Sequence, residues 1–258
     1  MKCYIGIDLG STTTKAVLMD ADKQVLGQGI TNSRSNYDTA AAVSKQEAII
    51  GTRFTLAHRA LKEHGAVNGS TDEFLNDLER SFRMEQYLEQ LEDLENTCEN
   101  YVTGPRFAGM EKDIGTALQE IFKQLADEAP PMFARGAERK SEFFRDIAGG
   151  RFMSIAEDAA DSSSLPFDLL LNVYDKSIIE VENRPPAGDL AGKFGRALDH
   201  IIEQSSEMEL QHEKIMEPLK EAIAVELEET YVVGTGYGRV RLPFPKEHIR
   251  SEILCHGL

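Results

Sequence analysis

The stretch that decides the fold runs Ile5-Gly-Ile-Asp-Leu-Gly-Ser-Thr-Thr-Thr-Lys15. Apolar residues occupy every second position up to Leu9, which is the period of a strand with one buried face. The alternation breaks at Gly10-Ser11, a pair suited to a tight turn, and apolar residues resume at Ala16. The sequence therefore predicts a β-hairpin whose turn carries a cluster of hydroxyl groups.

The composition of this turn favours phosphate binding over a plain turn that merely happens to be rich in Ser and Thr. Gly10 lets backbone N–H groups approach an anion without an intervening side chain, and Asp8 can hold a hydrated Mg²⁺ nearby. Lys15 is either a further phosphate contact or a charge at the strand edge that the pleat turns away. Four consecutive hydroxyl residues supply further donors: Ser11, Thr12, Thr13 and Thr14.

A second informative region lies at the other end of the chain. Residues Tyr231 to Val233 predict a short strand, and a glycine-rich loop with the sequence Gly234-Thr-Gly-Tyr-Gly-Arg239 follows it. A helix is expected to begin around Ser251-Glu252.

Both regions resemble known ATPases. The hairpin is similar to the first phosphate motif of the actin-like ATPases, which include sugar kinases, actin and the 70-kDa chaperones. The loop from Thr235 and the segment Ser251-Glu-Ile-Leu-Cys-His256 resemble the activators of 2-hydroxyacyl-CoA dehydratases and the ATPase subunits of ATP-dependent benzoyl-CoA reductase. Three segments look most like the larger ATPase subunit of that reductase: Lys2–Lys15, Asn32–Asp38 and Tyr174–Pro186.

The resemblance implies an α/β, actin-like (ribonuclease H-like) fold that binds Mg-ATP between two lobes. Asp8 would organise Mg²⁺, the turn from Gly10 would hold the β- and γ-phosphates, and Gly236 would lie in a turn beside the nucleotide. Arg239 would form an ion pair or respond to the nucleotide state. Glu252 would position the attacking water, as a Glu does at this place in the chaperones, although it could equally be a helix-terminal acid that complements the macrodipole. Asp8 and Glu252 are thus the candidate catalytic residues.

The resemblance also implies segments that are not found here. In the family, a second phosphate motif of the Asp-Ile-Gly-Gly-Gln-Asp type follows the helix that holds the Cys-His pair. Two Cys that ligate a [4Fe–4S] cluster shared between two subunits come next, and then an adenosine-binding Gly-Gly motif. None of these precedes Leu258. We therefore expect the chain to be the N-terminal part of a longer protein and to have little activity alone. Cys255 is interpreted as a packed helix residue without a role in the cluster.

Composition predicts a soluble cytoplasmic protein. The chain has 28 Lys and Arg against 44 Asp and Glu, a net charge of −16 that disfavours nucleic acid and anionic membranes as partners. No apolar run approaches the ~18 residues of a membrane span. Three widely spaced cysteines fit a reducing compartment. The partners that the resemblance implies are the other benzoyl-CoA reductase subunits, a homologous ATPase subunit, and ferredoxin as electron donor.

The middle of the chain, from about Ala40 to Glu228, has a predominantly helical pattern. A capping box at Ser70–Glu73 begins one helix, and apolar spacing predicts another over Ile114–Leu125. A third is expected to start at Phe143, with Gly149-Gly150 as punctuation. Two more are predicted by the apolar residues Leu198, Ile201 and Ile202, and near Ile215 to Val225.

These patterns predict a fold in which helix dominates by residue count. We expect an actin-like lobe made of residues 1–36 and 229–258, interrupted by an all-helical insertion over residues 37–228. The strand formed by Tyr231–Val233 is expected to join the sheet of that lobe. The sheet would begin as a meander of three strands, Lys2–Leu9, Lys15–Asp20 and Gln24–Thr31.

The sequence thus favours an ATP-binding and ATP-hydrolysing subunit, or its N-terminal part. Its hydrolysis would drive low-potential electron transfer for benzoyl-CoA ring reduction in anaerobic aromatic degradation. An activator ATPase of a 2-hydroxyacyl-CoA dehydratase would use similar chemistry with another client, but the shorter activators resemble this chain only at its ends. A non-catalytic helical interaction fragment is the third possibility, motivated by the absent second half.

Overall fold

The computed structural model describes residues 1–33, 36–138, 141, 143–162, 165–184, 189–203, 211–237 and 245–251. Its strands are β1 (Lys2–Leu9), β2 (Thr13–Asp20), β3 (Val25–Asn32) and β4 (Glu228–Gly236). Its α-helices are α1 (Tyr37–Glu63), α2 (Thr71–Val102), α3 (Glu111–Asp127), α4 (Ala129–Met132), α5 (Phe144–Ser162), α6 (Phe167–Glu182), α7 (Leu190–Glu203) and α8 (His212–Ala224). The fold is mixed α/β with helix dominant, as predicted. Within these residues, no helix combines the length and apolarity that crossing a membrane requires.

The four strands form one sheet in the order β3-β2-β1-β4. Strands β1, β2 and β3 are antiparallel neighbours, whereas β4 lies parallel to β1. The predicted meander and the return of a late strand to its edge are therefore confirmed, although β4 extends beyond Tyr231–Val233 in both directions. On the far edge of β4, Ile249 forms a parallel bridge to Gly234, and the Arg250 N–H donates to the Gly234 carbonyl oxygen over 2.9 Å.

The chain divides into two compact units, one comprising Met1–Glu79 with Pro185–Leu258 and the other Arg80–Arg184. Helix α1 packs on the sheet and belongs to the first unit. The bounds of the two units therefore differ from those of the predicted lobe and insertion. The predicted division into an actin-like lobe and an insertion stays a prediction.

Helix α1 covers one face of the sheet by approaching strand β3 at backbone distance. A Cβ atom on Gly27 would lie 2.0 Å from the Ala48 carbonyl oxygen, and one on Gly29 would lie 2.0 Å from that of Ser44. The Thr55 hydroxyl donates to the Leu26 carbonyl oxygen over 2.6 Å. Because neither glycine carries a side chain, the helix and the strand meet without a layer of side chains between them. The buried apolar core between the sheet and α1 consists of Cys3, Ile5, Ile7, Leu9, Ala16, Leu18, Leu26, Ala41 and Ala48.

Helix α1 also anchors the segment that leads back to the sheet after α8. The Arg53 guanidinium donates to the carbonyl oxygens of Val225 (2.6 Å) and Ala222 (3.3 Å), which lie in the last turn and cap of α8. Burial lowers the pKa of Arg53. The amino terminus donates to the Glu226 carbonyl oxygen over 2.5 Å, and Lys45 pairs with Glu229 over 2.7 Å. These contacts fix the point at which β4 begins beside β1.

The second unit is a helical bundle with its own apolar core. The ring of Phe152 stacks on that of Tyr174 with centroids 4.4 Å apart. Gly149-Gly150 was expected to punctuate the helix that starts at Phe143, but α5 runs through both glycines. The Tyr174 hydroxyl lies 2.9 Å from the position of a Cβ on Gly149, so this glycine makes room for α6 rather than ending α5.

The other helices that were predicted from a specific pattern occur in the structure. The Ser70 hydroxyl accepts a hydrogen bond from the Glu73 N–H over 3.2 Å, which confirms the cap ahead of α2. Helix α3 contains the predicted stripe, and its residues Ile114, Leu118, Ile121, Phe122 and Leu125 are buried. Helices α7 and α8 match the two patterns predicted late in the chain.

The close contact between α1 and β3 predicts the effect of adding one methyl group. Gly29→Ala should lower the free energy of unfolding by about 3 kcal/mol, because the new Cβ would overlap the Ser44 carbonyl oxygen. Gly195→Ala in α7 is the matched control, since its Cβ would meet no atom within 4 Å. It should raise the free energy of unfolding by about 0.5–1 kcal/mol. Urea denaturation of both variants measures the difference, and equal effects would contradict the assigned contact.

Candidate functional site

The hairpin between β1 and β2 closes through a hydrogen bond inside its turn. The Gly10 N–H donates to the Thr13 carbonyl oxygen over 3.1 Å, and Leu9 pairs with Thr14 just outside. A Cβ on Gly10 would lie 2.6 Å from that same oxygen. Gly10 is therefore needed for the turn to close, and its own amide is engaged within it.

Ser33, directly after β3, braces this turn with three contacts. Its N–H donates to the Thr12 carbonyl oxygen over 2.7 Å, and its hydroxyl donates to the Gly10 carbonyl oxygen over 2.7 Å. The same hydroxyl lies 2.9 Å from that of Thr14. Two carbonyl oxygens of the turn are thus held on the β3 side, which fixes the backbone of the turn without using a ligand.

The turn leaves a small set of donors open. Ser11 and Thr12 are exposed, and no hydrogen bond among the described residues uses their N–H groups. Thr13 is half-buried and pairs with Asn32 of β3. Thr14 is fully buried, with its hydroxyl against Ser33. The donors available to an anion at the tip of the turn are therefore the amides and hydroxyls of Ser11 and Thr12.

Asp8 lies one pleat before the turn, on the face of the sheet opposite α1. The strand register places Asp8 directly between Lys15 of β2 and Thr235 of β4. Asp8 and Lys15 are both exposed, and neither forms an ion pair within the described part of the chain. A carboxylate with free oxygens and a cation next to it thus stand beside the turn. Oxygen ligands of this kind suit Mg²⁺.

The end of β4 meets this group of residues through Gly236. Gly236 pairs with Leu9 and has a φ of +98°, a conformation that favours glycine. A Cβ there would lie 2.3 Å from the Leu9 carbonyl oxygen. The strand can therefore approach the end of β1 only with glycine at this position.

Most of the predicted site residues consequently meet at one end of the sheet. Asp8, Lys15 and Gly236 join the turn residues there: Gly10, Ser11, Thr12, Thr13 and Thr14. Glu252 and Arg239, and likewise Cys255, lie outside the described residues. Sequence reasoning missed Ser33 as a brace and Thr235 as the neighbour of Asp8, because both reach the site through strand pairing rather than through a local motif.

The described residues offer no site for an iron–sulfur cluster. Among them, no three His, Cys, Asp or Glu side chains converge as metal ligands. Cys3 and Cys98 are buried, and burial raises the pKa of both thiols, that of Cys98 to about 12. Both are therefore neutral thiols inside apolar cores. The donor set at the hairpin, by contrast, fits a phosphate with its Mg²⁺.

Removal of the Ser33 hydroxyl tests the brace. Ser33→Ala should lower the free energy of unfolding by about 2 kcal/mol, because the Gly10 carbonyl oxygen and the buried Thr14 hydroxyl both lose a partner. Ser11→Ala is the control, since it removes an exposed hydroxyl of the same turn and should change stability by less than about 0.5 kcal/mol. Chemical denaturation of both variants is the measurement. An equal loss in the two would mean that Ser33 does not hold the turn.

Comparison with known proteins adds the family. No curated protein and no solved structure shows a significant match to the chain. A family model described as the BadF/BadG/BcrA/BcrD ATPase family matches residues 5–258, which include the turn of the hairpin and the glycine-rich loop. The chain therefore belongs to the BadF/BadG/BcrA/BcrD ATPase family.

Proposed function

We propose that this protein binds Mg-ATP at the hairpin between β1 and β2 and contributes to its hydrolysis. One observation carries the proposal: an exposed carboxylate, a glycine-closed turn with open donors, and the glycine-shaped end of β4 lie together at one end of the sheet. Membership of an ATPase family supports ATP and, with it, Mg²⁺ as the ligands. The sheet order, with three antiparallel strands and a parallel fourth, is compatible with an actin-like lobe.

Each group of the site has a physical role in this proposal. The open amides and hydroxyls of Ser11 and Thr12 would bind phosphate oxygens. Asp8 would hold the hydrated Mg²⁺, which neutralises phosphate charge when bound. Lys15, beside Asp8 in the register, would add one further positive charge. Thr14 would act through Ser33 on the shape of the turn. Glu252 is proposed to position the attacking water.

The finer role that we propose is that of an ATPase subunit of a cytoplasmic, ATP-dependent benzoyl-CoA reductase. Loss of the γ-phosphate would release a closed arrangement and drive an electron from ferredoxin towards the ring-reducing subunits. The partners would be those subunits and a homologous ATPase subunit, with a [4Fe–4S] cluster between the two ATPase subunits. The support is the resemblance of three segments to the larger ATPase subunit and the large helical part of the chain.

Asp8→Asn tests the hydrolytic site. In the native protein, it should keep the fold and lower Mg²⁺-dependent ATP hydrolysis about a hundredfold or more, because the amide cannot replace the carboxylate at the metal. Asp22→Asn is the control, because it makes the same charge change in the exposed β2–β3 turn at the opposite end of the hairpin. Phosphate release and circular dichroism are measured on both variants. Wild-type turnover in Asp8→Asn would exclude Asp8 from the mechanism.

The client of the ATPase requires an experiment of its own. Anaerobic purification of the native complex should recover subunits that reduce benzoyl-CoA with reduced ferredoxin and ATP, at a rate that Asp8→Asn lowers as much as it lowers ATP hydrolysis and that Asp22→Asn leaves unchanged. Turnover of a 2-hydroxyacyl-CoA instead would assign the dehydratase activator function. ATP-independent reduction would contradict the proposed coupling.

A further inference from the structure

Among the buried side chains that lack a hydrogen-bond partner in the described part of the chain, Thr235 belongs to the strand that borders the candidate site. The Thr235 Oγ1 atom is buried and makes no hydrogen bond within the part of the chain that the structure describes. Buried hydroxyl groups normally have a partner, and one without a partner destabilises the folded state. Valine has the same shape and would avoid that cost. The local packing of β4 therefore does not account for a threonine at this position.

The strand register gives this hydroxyl a neighbour. Thr235 is the direct partner of Asp8 across the parallel pair of β4 and β1, on the face opposite α1. Neighbouring strands of a sheet lie about 5 Å apart, so a side-chain rotation brings a hydroxyl within reach of a carboxylate on the adjacent strand. The register between β4 and β1 is fixed at the adjacent residue, where Gly236 lets β4 contact the Leu9 backbone. A change of register that moved Thr235 away from Asp8 would disrupt the contact between Gly236 and Leu9.

We propose that Thr235 is a positioning residue for Asp8: in the nucleotide-bound protein its hydroxyl donates to one carboxylate oxygen of Asp8 and so directs the other towards Mg²⁺. This inference rests on the proposed function, because it assigns a role relative to the metal held by Asp8. Hydrogen bonds of this kind are often unformed without ligand and tighten when it binds. The unpaired hydroxyl is then a donor held ready for the bound state.

The proposal predicts that loss of the Thr235 hydroxyl weakens Mg²⁺ binding without lowering the stability of the ligand-free protein. Thr235→Val removes a hydroxyl that has no partner, so the ligand-free protein should be as stable as wild type or more stable. The same variant should need about tenfold more Mg²⁺ for half-maximal ATP binding, the size of effect seen when a group that orients a metal ligand is lost. Thr235→Ser, which keeps the hydroxyl, should stay within about twofold of wild type on the same scale.

The experiment measures thermal unfolding without nucleotide and Mg²⁺ titrations of ATP binding by calorimetry, on the native protein and both variants. Thr235→Ala serves as a second variant without the hydroxyl, should Val not fit. In an Asp8→Asn background, Thr235→Val should have no further effect on the Mg²⁺ dependence, because the hydroxyl acts through Asp8.

Two results overturn the proposal while leaving the proposed function intact. One is an unchanged Mg²⁺ dependence in Thr235→Val and Thr235→Ala. The other is a loss of stability in ligand-free Thr235→Val that Ser rescues, which would make the hydroxyl a structural group. Absence of Mg²⁺-dependent ATP binding in the wild-type protein would instead overturn both proposals.

Discussion

The contact between helix α1 and strand β3 is the constraint on which the rest of the first unit depends. Gly27 and Gly29 let the helix lie directly on the strand backbone, and a protein interior packed this closely has no room for relaxation. Strand β3 leads into Ser33, and Asn36 soon after caps α1 through its side chain, which accepts from the Asp38 and Thr39 N–H groups. Because Ser33 directly follows β3, the strand on which α1 packs, this contact supports the hydrogen bond by which Ser33 fixes the shape of the turn at Gly10.

The part of the fold that could be predicted from sequence is the part with local signals. The alternation of apolar residues predicted the strands, Gly10 predicted the turn, and Ser70 predicted the start of α2. Each of these signals depends only on residues a few positions apart. The role of Gly29 could not be predicted, because a glycine in a strand says only that some backbone comes near. Gly149 was misinterpreted for the same reason: its function depends on Tyr174, 25 positions later along the chain, rather than on its own helix.

The residues of the candidate site likewise divide into those with a local sequence signal and those without one. Asp8 and Gly10 belong to one short motif whose chemistry is legible in the sequence. Ser33 and Thr235 carry no such signal, because only the pairing of β2 with β3 and of β1 with β4 brings them to the hairpin. Thr14 shows the limit of reasoning from composition. Four consecutive hydroxyl residues suggest four donors for a ligand, but the pleat of the strand buries the fourth, and its hydroxyl contacts that of Ser33 instead.

Electrostatics sets what such a site must achieve. The chain has a net charge of −16, so its overall field repels a nucleotide triphosphate. Long-range attraction therefore cannot supply the affinity, and screening by salt confines the repulsion to about 8 Å at physiological ionic strength. Within that distance, under the proposed function, the local groups would decide the affinity: the open amides of Ser11 and Thr12, the cation of Lys15, and above all a divalent metal held by Asp8. Under the proposed function, a site on a chain of this charge would depend on Mg²⁺ more steeply than the same turn in a neutral protein, and this would favour a hydroxyl at Thr235 that orients the Asp8 carboxylate.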